Sequence, residues 1–136
     1  MFPRKVLLVD GDPSRRKLNA FGLRCAGFGV DEAADTRDAR AQISRCYPNL
    51  LLMGVALLDL GVQTFVERLR HSDETREIPV LVLADKPRER DAESARAWGI
   101  DDYLAPPFSP EQFVARVNAV VSRGAAPPEA SGRRRD

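Results

Sequence analysis

Three short runs of consecutive apolar residues constrain the fold of this chain more than any other feature of its sequence. They are Val6–Val9 (VLLV), Leu50–Met53 (LLLM) and Val80–Leu83 (VLVL). Continuous apolar character, without alternation with polar residues, is typical of parallel strands that are covered by helices on both faces. Two weaker candidate strands lie at 29–33 and 102–105. The runs therefore predict a parallel sheet between two layers of helices.

Helical patterns separate the candidate strands, so that a strand–helix unit repeats five times over about 120 residues. Asp12 followed by Pro13 is typical of a helix start, Thr36 is a candidate cap for the second helix, and SPEQ at 109–112 is a capping box. The residues predicted to face inward are, helix by helix, Leu18, Phe21, Gly22 and Cys25; Ala39, Ile43 and Cys46; Val62, Phe65, Val66 and Leu69; Ala92, Ala95 and Trp98; and Phe113, Val114, Val117, Val120 and Val121.

The composition fits one globular domain and argues against several functional classes. The chain has 136 residues, 43% of them hydrophobic and 30% charged, and a net charge of +1. No global field therefore attracts nucleic acid or anionic lipid. No apolar run approaches the about 20 residues of a membrane span, and the N-terminus is a poor signal peptide. We expect a cytoplasmic protein with one domain at 1–123 and a flexible tail or linker start at 124–136.

Gly54 is the residue that a purely structural interpretation leaves unexplained. It lies in the middle of the apolar stretch LLLMGVALL at 50–58. A buried strand does not need glycine there, and glycine weakens a strand because it removes a side chain that could pack. The position therefore raises the question of whether a functional side chain is missing.

Four segments together resemble the receiver domain of two-component response regulators. They are VLLVDGDPSRR, PNLLLMGVALLDLG, REIPVLVLAD and GIDDYLAPPFSPEQFVARVNAVV, which span about residues 4 to 123. The resemblance implies an α/β, flavodoxin-like (βα)5 fold, a doubly wound parallel sheet with strand order 2-1-3-4-5. Cys25 and Cys46 have no CxxC or metal-like spacing, and we expect two buried or half-buried thiols. In that strand order they would lie on opposite faces, so we expect no disulfide.

The family also implies a phosphorylation chemistry. An aspartate at the end of the third strand attacks a phosphoryl donor, and two acidic residues after the first strand help to hold a magnesium ion. A Thr or Ser after the fourth strand and a Lys after the fifth bind the phosphoryl oxygens. In this chain the acceptor position aligns with Gly54, the hydroxyl position with Ala84 and the lysine position with Pro106.

The magnesium-binding positions are only partly retained. Asp10 keeps its carboxylate, the next position is Gly11 instead of an acid, and Asp12 follows. The alternative to weak metal binding is that Asp12 caps the first helix and Asp10 is solvated at the edge of the sheet. We expect no tight metal site and no cofactor. Asp59, five residues past the acceptor position, is a less favoured candidate acceptor.

In the family, the output surface is formed by the fourth helix, the fifth strand and the fifth helix. In the family, an aromatic residue on the fifth strand acts as a rotamer switch, and this position is Tyr103. Because Ala84 has no hydroxyl to move, we expect Tyr103 to keep one rotamer. Trp98 is either an interface residue or a side chain packed over the end of its helix. The resemblance also implies a cis bond before Pro107. The candidate interaction residues are Trp98, Asp101, Asp102, Tyr103 and Arg116.

These observations favour a pseudo-receiver, that is, a phosphorylation-independent protein–protein interaction module that is not an enzyme. Its partners would be signalling proteins or a second copy of itself, with no membrane and no direct nucleic acid. Three alternatives stay open. The emptied pocket binds a small molecule, an unorthodox acid accepts a phosphoryl group, or the chain is the N-terminal regulatory piece of a longer transcription regulator.

Overall fold

Five parallel strands form one sheet in the order β2-β1-β3-β4-β5, which confirms the predicted flavodoxin-like topology. The computed structural model describes residues 4–55, 60–84 and 89–124. The elements are β1 (Lys5–Asp10), α1 (Pro13–Cys25), β2 (Gly29–Ala33), α2 (Thr36–Arg45), β3 (Leu50–Val55), α3 (Leu60–His71), β4 (Val80–Ala84), α4 (Glu89–Trp98), β5 (Asp102–Leu104) and α5 (Pro110–Gly124).

The core consists of two apolar layers, one on each face of the sheet. Because side chains alternate along a strand, neighbouring strand residues such as Leu7 and Leu8 enter different layers. One layer is covered by α1 and α5 and the other by α2, α3 and α4. The continuous apolar runs are therefore explained by burial on both faces. In the part of the chain that the structure describes, no helix is long and apolar enough to cross a membrane.

The prediction of which residues of α1 face the core is wrong. Leu18 and Phe21 are 71% and 66% exposed, whereas Ala20 and Leu23 on the opposite side are fully buried. Charge sets this orientation, because the Arg16 guanidinium lies against the sheet and donates to the Asp10 carbonyl oxygen at 2.8 Å. The small side chain of Ala20 then allows the helix to approach the sheet closely.

The capping predictions are confirmed at two helices and wrong at a third. Asp12 caps α1 by accepting from the Ser14 amide at 3.0 Å, and Ser109 and Gln112 form the capping box of α5. The cap of α2 is Asp35, because its carboxylate accepts from the Asp38 amide at 2.8 Å. Thr36 is therefore the first helical residue rather than the cap.

Both cysteines are exposed and free, so the expectation of buried thiols is wrong and the expected absence of a disulfide is confirmed. Cys25 belongs to the outward face of α1, and Cys46 lies just past the end of α2 with extended backbone. The inward position predicted for Cys46 fails because the helix ends one residue earlier. The peptide bond between Pro106 and Pro107 is cis, as predicted.

Glu32 on the edge strand β2 fixes the orientation of α1. Its carboxylate accepts from Arg16 at 3.1 Å and from Lys17 at 3.4 Å, and it pairs with Arg24 at 3.5 Å. Gln42 of α2 donates to the Glu32 carbonyl oxygen at 2.8 Å. These side chains cover the edge strand, which would otherwise present free backbone groups to another strand.

The charge of Glu32 predicts a pH dependence of stability. Burial opposes its ionisation, but the hydrogen bonds and charges of Arg16, Lys17 and Arg24 outweigh burial and lower the pKa of Glu32 below its ordinary value of 4.5. A lowered folded-state pKa stabilises the fold above pH 4.5, and this contribution is lost as the pH falls through the folded-state pKa. Glu32→Gln should therefore lower the free energy of unfolding by up to about 1 kcal/mol near neutral pH. Urea titrations at several pH values should show the gap closing in acid, and a gap that widens in acid contradicts the assignment.

Gly22 in the middle of α1 gives a second stability prediction. A Cβ atom added at Gly22 meets no atom within 4 Å, so alanine fits. Glycine inside a helix costs about 0.5–1 kcal/mol relative to alanine, and Gly22→Ala should therefore raise the free energy of unfolding by that amount. Gly27→Ala is the matched control. Gly27 has a φ angle of +100°, so alanine at this position should lower the free energy of unfolding. Equal effects of the two substitutions in urea unfolding would contradict the prediction.

Candidate functional site at the carboxyl ends of the strands

The carboxyl ends of β1, β3 and β4 meet where the strand order reverses, which is where open α/β sheets place their sites. Asp10 and Gly54 are direct partners in the register of β1 and β3, and Ala84 is the partner of Val55 on β4. The structure therefore brings three of the predicted positions to one edge. Pro106 follows β5 and is half-buried.

Asp10 is buried, with 1% of its surface exposed, so the alternative of a solvated Asp10 is wrong. The physical reason is Arg15 in the first turn of α1, whose guanidinium forms a bidentate pair with the carboxylate. Nε lies 2.6 Å from Oδ2, and Nη2 lies 2.7 Å from Oδ1. The Asp12 amide donates to Oδ1 at 2.9 Å. Both carboxylate oxygens are therefore bonded within the chain.

Gly54 lies directly against this carboxylate. A Cβ atom built on Gly54 would be 3.0 Å from Asp10 Cγ and closer still to Oδ2. Since contacts this short require the carboxylate to move, and Arg15 holds it, glycine is the residue that fits beside this arrangement of Asp10. The glycine that the sequence left unexplained is thus accounted for by the packing of Asp10.

Arg15 and Arg16 contact Asp10 at the candidate site, and the sequence reasoning missed both of them. The sequence held an indication of them, because cations in the first turn of a helix oppose the helix dipole unless acidic groups lie nearby. The segment DGDPSRRK places Arg15 and Arg16 in the first turn and Lys17 directly after it. Arg15 binds the Asp10 carboxylate and Arg16 binds the Asp10 carbonyl, so the two arginines join α1 to the end of β1.

Gly11 and Asp12 lie at the surface between β1 and α1. The Asp12 carboxylate caps α1, and its Oδ2 lies 3.9 Å from Arg15 Nη1. In residues 4–55, 60–84 and 89–124, no group of three His, Cys, Asp or Glu side chains is arranged to hold a metal ion. Asp59, the less favoured acceptor, lies outside the described residues.

Tyr103 lies with its ring inward, in the same apolar layer as Val82, and Ala84 packs against that layer. It is 9% exposed. The expectation that this ring keeps one rotamer stays a prediction. Trp98 is half-buried and packs against the same layer, whereas its role as an interface residue stays a prediction.

The charged residues of the candidate interaction surface are bonded within the chain. Asp101 accepts from Arg70 at 3.0 Å and from the Val80 amide at 2.7 Å. Arg116 lies 3.0 Å from Asp102 Oδ2. A symmetric dimer built on these charges would have to exchange its internal pairs for external ones.

Comparisons with known proteins agree on one family. The sequence profile of the response regulator receiver domain matches residues 6–118. The chain is 34% identical over 120 residues to the phosphate regulon transcriptional regulatory protein PhoB of Escherichia coli, covering 88% of this chain and 52% of PhoB. It is 32% identical over 127 residues to the DNA-binding dual master transcriptional regulator RpaA of Synechocystis, covering 93% of this chain and 53% of RpaA.

Solved structures show the same relationship. A putative response regulator from Chloroflexus aurantiacus superposes with a TM-score of 0.82 at 31% identity, covering 89% of this chain and 99% of that one. The chain spans about half the length of the two regulators PhoB and RpaA that it matches.

The ion pair between Asp10 and Arg15 predicts a strong stability effect. Arg15→Ala leaves the Asp10 carboxylate buried without its cation, and breaking a buried pair typically costs about 3–5 kcal/mol. Because Arg15 is 33% exposed, we expect the free energy of unfolding measured in urea to fall by about 3 kcal/mol. Lys17→Ala removes an exposed cation of the same helix and is the matched control, with a loss of at most about 1 kcal/mol.

The same prediction is tested from the other side of the carboxylate. The methyl group of Gly54→Ala displaces the Asp10 carboxylate from Arg15, so the effects of the two substitutions overlap. In a double-mutant cycle, the summed single losses should exceed the loss of the double variant by about 1 kcal/mol or more. Additive losses would show that Gly54 and Arg15 do not act through Asp10.

Proposed function

Since the chain belongs to the receiver domains of response regulators, we propose that it acts as a pseudo-receiver, a signalling module that docks on protein partners without being phosphorylated. The proposal rests on one observation. The acceptor position is Gly54, and the Asp10 carboxylate beside it is bonded to Arg15.

The chemistry of phosphorylation argues for this interpretation. Formation of an aspartyl phosphate needs a carboxylate nucleophile, and Gly54 has no side chain. Magnesium binds through carboxylate oxygens and phosphate oxygens, whereas both oxygens of Asp10 accept hydrogen bonds from Arg15 and the Asp12 amide. The guanidinium of Arg15 supplies the positive charge that a metal ion would bring.

Regulation then follows from the rules of conformational equilibria. A ligand shifts an equilibrium only when it binds two states with different affinity. A cation that is part of the chain is present in every molecule at all times. We therefore propose that the domain signals in one conformation, through the abundance of the protein and its partner, and that it is not an enzyme and needs no cofactor.

The face formed by α4, β5 and α5 is the proposed docking surface. Trp98 is half-buried there, and a groove of about 450 Å³ runs between the end of β5 and α5, lined in part by Leu104, Phe108 and Ala115. Since Asp101 and Asp102 are paired with Arg70 and Arg116, a different signalling protein is favoured over a symmetric copy. We place this activity in the cytoplasm.

A second candidate function is regulation of an output module in a longer transcription regulator. The observation that favours it is that PhoB and RpaA, which are named as transcriptional regulators, are matched over 52% and 53% of their lengths. The intact mass of the native protein, purified from its own cells, distinguishes this candidate from a single-domain protein.

The proposed function predicts that phosphoryl donors have no effect. Acetyl phosphate or beryllofluoride, each added with magnesium, should leave the amide NMR spectrum unchanged, and intact-mass analysis should show no phosphoryl adduct. A receiver that keeps the acidic acceptor is the positive control under the same conditions. Partner capture should be equal with and without donor and should fall for Trp98→Ala. An adduct on any carboxyl group would overturn the proposal.

A further inference from the structure

Three exposed arginines of α2 and α3 differ from the cations of α1 in having no carboxylate of their own. Arg37 and Arg40 belong to α2 and Arg68 to α3. Within residues 4–55, 60–84 and 89–124, none of the three side chains forms a hydrogen bond or an ion pair. The arginines of α1, by contrast, are bonded to Asp10 and Glu32. The three guanidinium groups are therefore available to an external anion.

Arg37 and Arg40 lie on the flank of α2 that faces α3. Gln42 donates to the Glu32 carbonyl oxygen at 2.8 Å, so its side of α2 faces the edge strand β2. Arg40 is two residues earlier, which is about 200° around a helix and places it on the other flank. Arg37 precedes Arg40 by three residues, so the two arginines are neighbours on the helix surface. The helix that α2 contacts on this flank is α3.

Arg68 lies on the flank of α3 that faces α2. Arg70, two residues later, donates to Asp101 at 3.0 Å, so its side of α3 faces α4 and β5. The same rotation of about 200° places Arg68 on the opposite flank. Arg37, Arg40 and Arg68 therefore lie along the boundary between the two helices, and we call them the arginine cluster.

The charge around the arginine cluster is positive. The helices α2 and α3 together contain five arginines and two carboxylates, Asp38 and Glu67. Both carboxylates are bonded to neutral amides of their own helices, Asp38 to Gln42 and Glu67 to Gln63, each at 3.3 Å. The chain as a whole has a net charge of +1, so this excess is a local property of one surface.

We propose that the arginine cluster is a docking site for an acidic segment of a partner protein. A guanidinium group binds a carboxylate through two parallel hydrogen bonds, which is a reason for arginine rather than lysine at all three positions. The site is separate from the docking surface formed by α4, β5 and α5. The proposal goes beyond the function proposed above and holds whether or not the domain is phosphorylated.

Three other occupants fit this surface less well. The one aromatic residue of α2 and α3 is Phe65, which is buried, so neither helix offers a ring on which a nucleic-acid base could stack. The one large apolar side chain of α2 is Ile43, which is also buried, so α2 has none to insert into a membrane. The acidic loop of a second copy is partly engaged, because Asp73 lies 3.4 Å from Arg76 of its own chain.

Two labelled synthetic peptides test the proposal by fluorescence anisotropy. One alternates glutamate with serine, and the other has glutamine in place of glutamate. The glutamate peptide should bind, and Arg40→Glu should weaken its binding about tenfold or more because it adds a like charge. Arg96→Glu is the matched control, since it makes the same change of charge at an exposed position of α4 and should leave the affinity unchanged.

Two further measurements separate docking from folding and from the other docking surface. Because the arginine cluster is exposed, the triple variant Arg37→Glu, Arg40→Glu and Arg68→Glu should keep the urea midpoint of the unchanged chain while it binds a lysine–serine peptide instead. Trp98→Ala should leave binding of the glutamate peptide unchanged. If the proposed function fails and the chain accepts a phosphoryl group, this peptide binding should still be observed.

Four results would overturn the proposal. They are no binding of the glutamate peptide, equal binding of the glutamate and glutamine peptides, tighter binding of a single-stranded oligothymidine that Arg40→Glu abolishes, and a self-association that Arg40→Glu abolishes. The last two would identify a nucleic acid or a second copy as the occupant.

Discussion

The bidentate pair between Arg15 and Asp10 is the interaction on which the arrangement of this domain depends. A carboxylate that is almost fully buried must be paired, since leaving such a charge without a partner is strongly destabilising. The pair in turn restricts its surroundings. Arg15 reaches the carboxylate from the first turn of α1, and a Cβ atom at position 54 would contact that carboxylate, so glycine fits there without a shift of Asp10. The position of α1, the charge of Arg15 and the glycine in β3 therefore depend on one another.

The contacts that Arg15 and Gly54 make with Asp10 give a physical reason for a glycine at position 54. A site with the acceptor carboxylate and a metal ion would be incompatible with the guanidinium, because both cations would compete for the oxygens of Asp10. With Arg15 in place, an acid at position 54 would meet Asp10 and add a second negative charge. Glycine removes the clash and the charge together.

The sequence predicted the strands because burial on both faces leaves continuous apolar runs such as Val80–Leu83, whereas their order was predicted by the resemblance to receiver domains. It failed for the face of α1, where two apolar patterns compete. The larger residues Leu18 and Phe21 suggested one face, but the helix buries Ala20 and Leu23 because Arg16 is bound to the sheet. The sequence predicted which positions lie together at the carboxyl ends of the strands, but it did not predict the contact between Arg15 and Asp10. Periodicity reports which residues share a face, whereas a pair such as Arg15 and Asp10 joins two elements.

The two sides of α1 are connected by the same contacts. Arg15 and Arg16 fix the inner side of the helix to the end of β1, and this fixes the direction in which Leu18 and Phe21 project. A surface held in one orientation loses little conformational entropy on binding, so its affinity does not have to offset an ordering step. The ion pair between Arg15 and Asp10 thus positions the outward face of α1 as well as the groups at the candidate site.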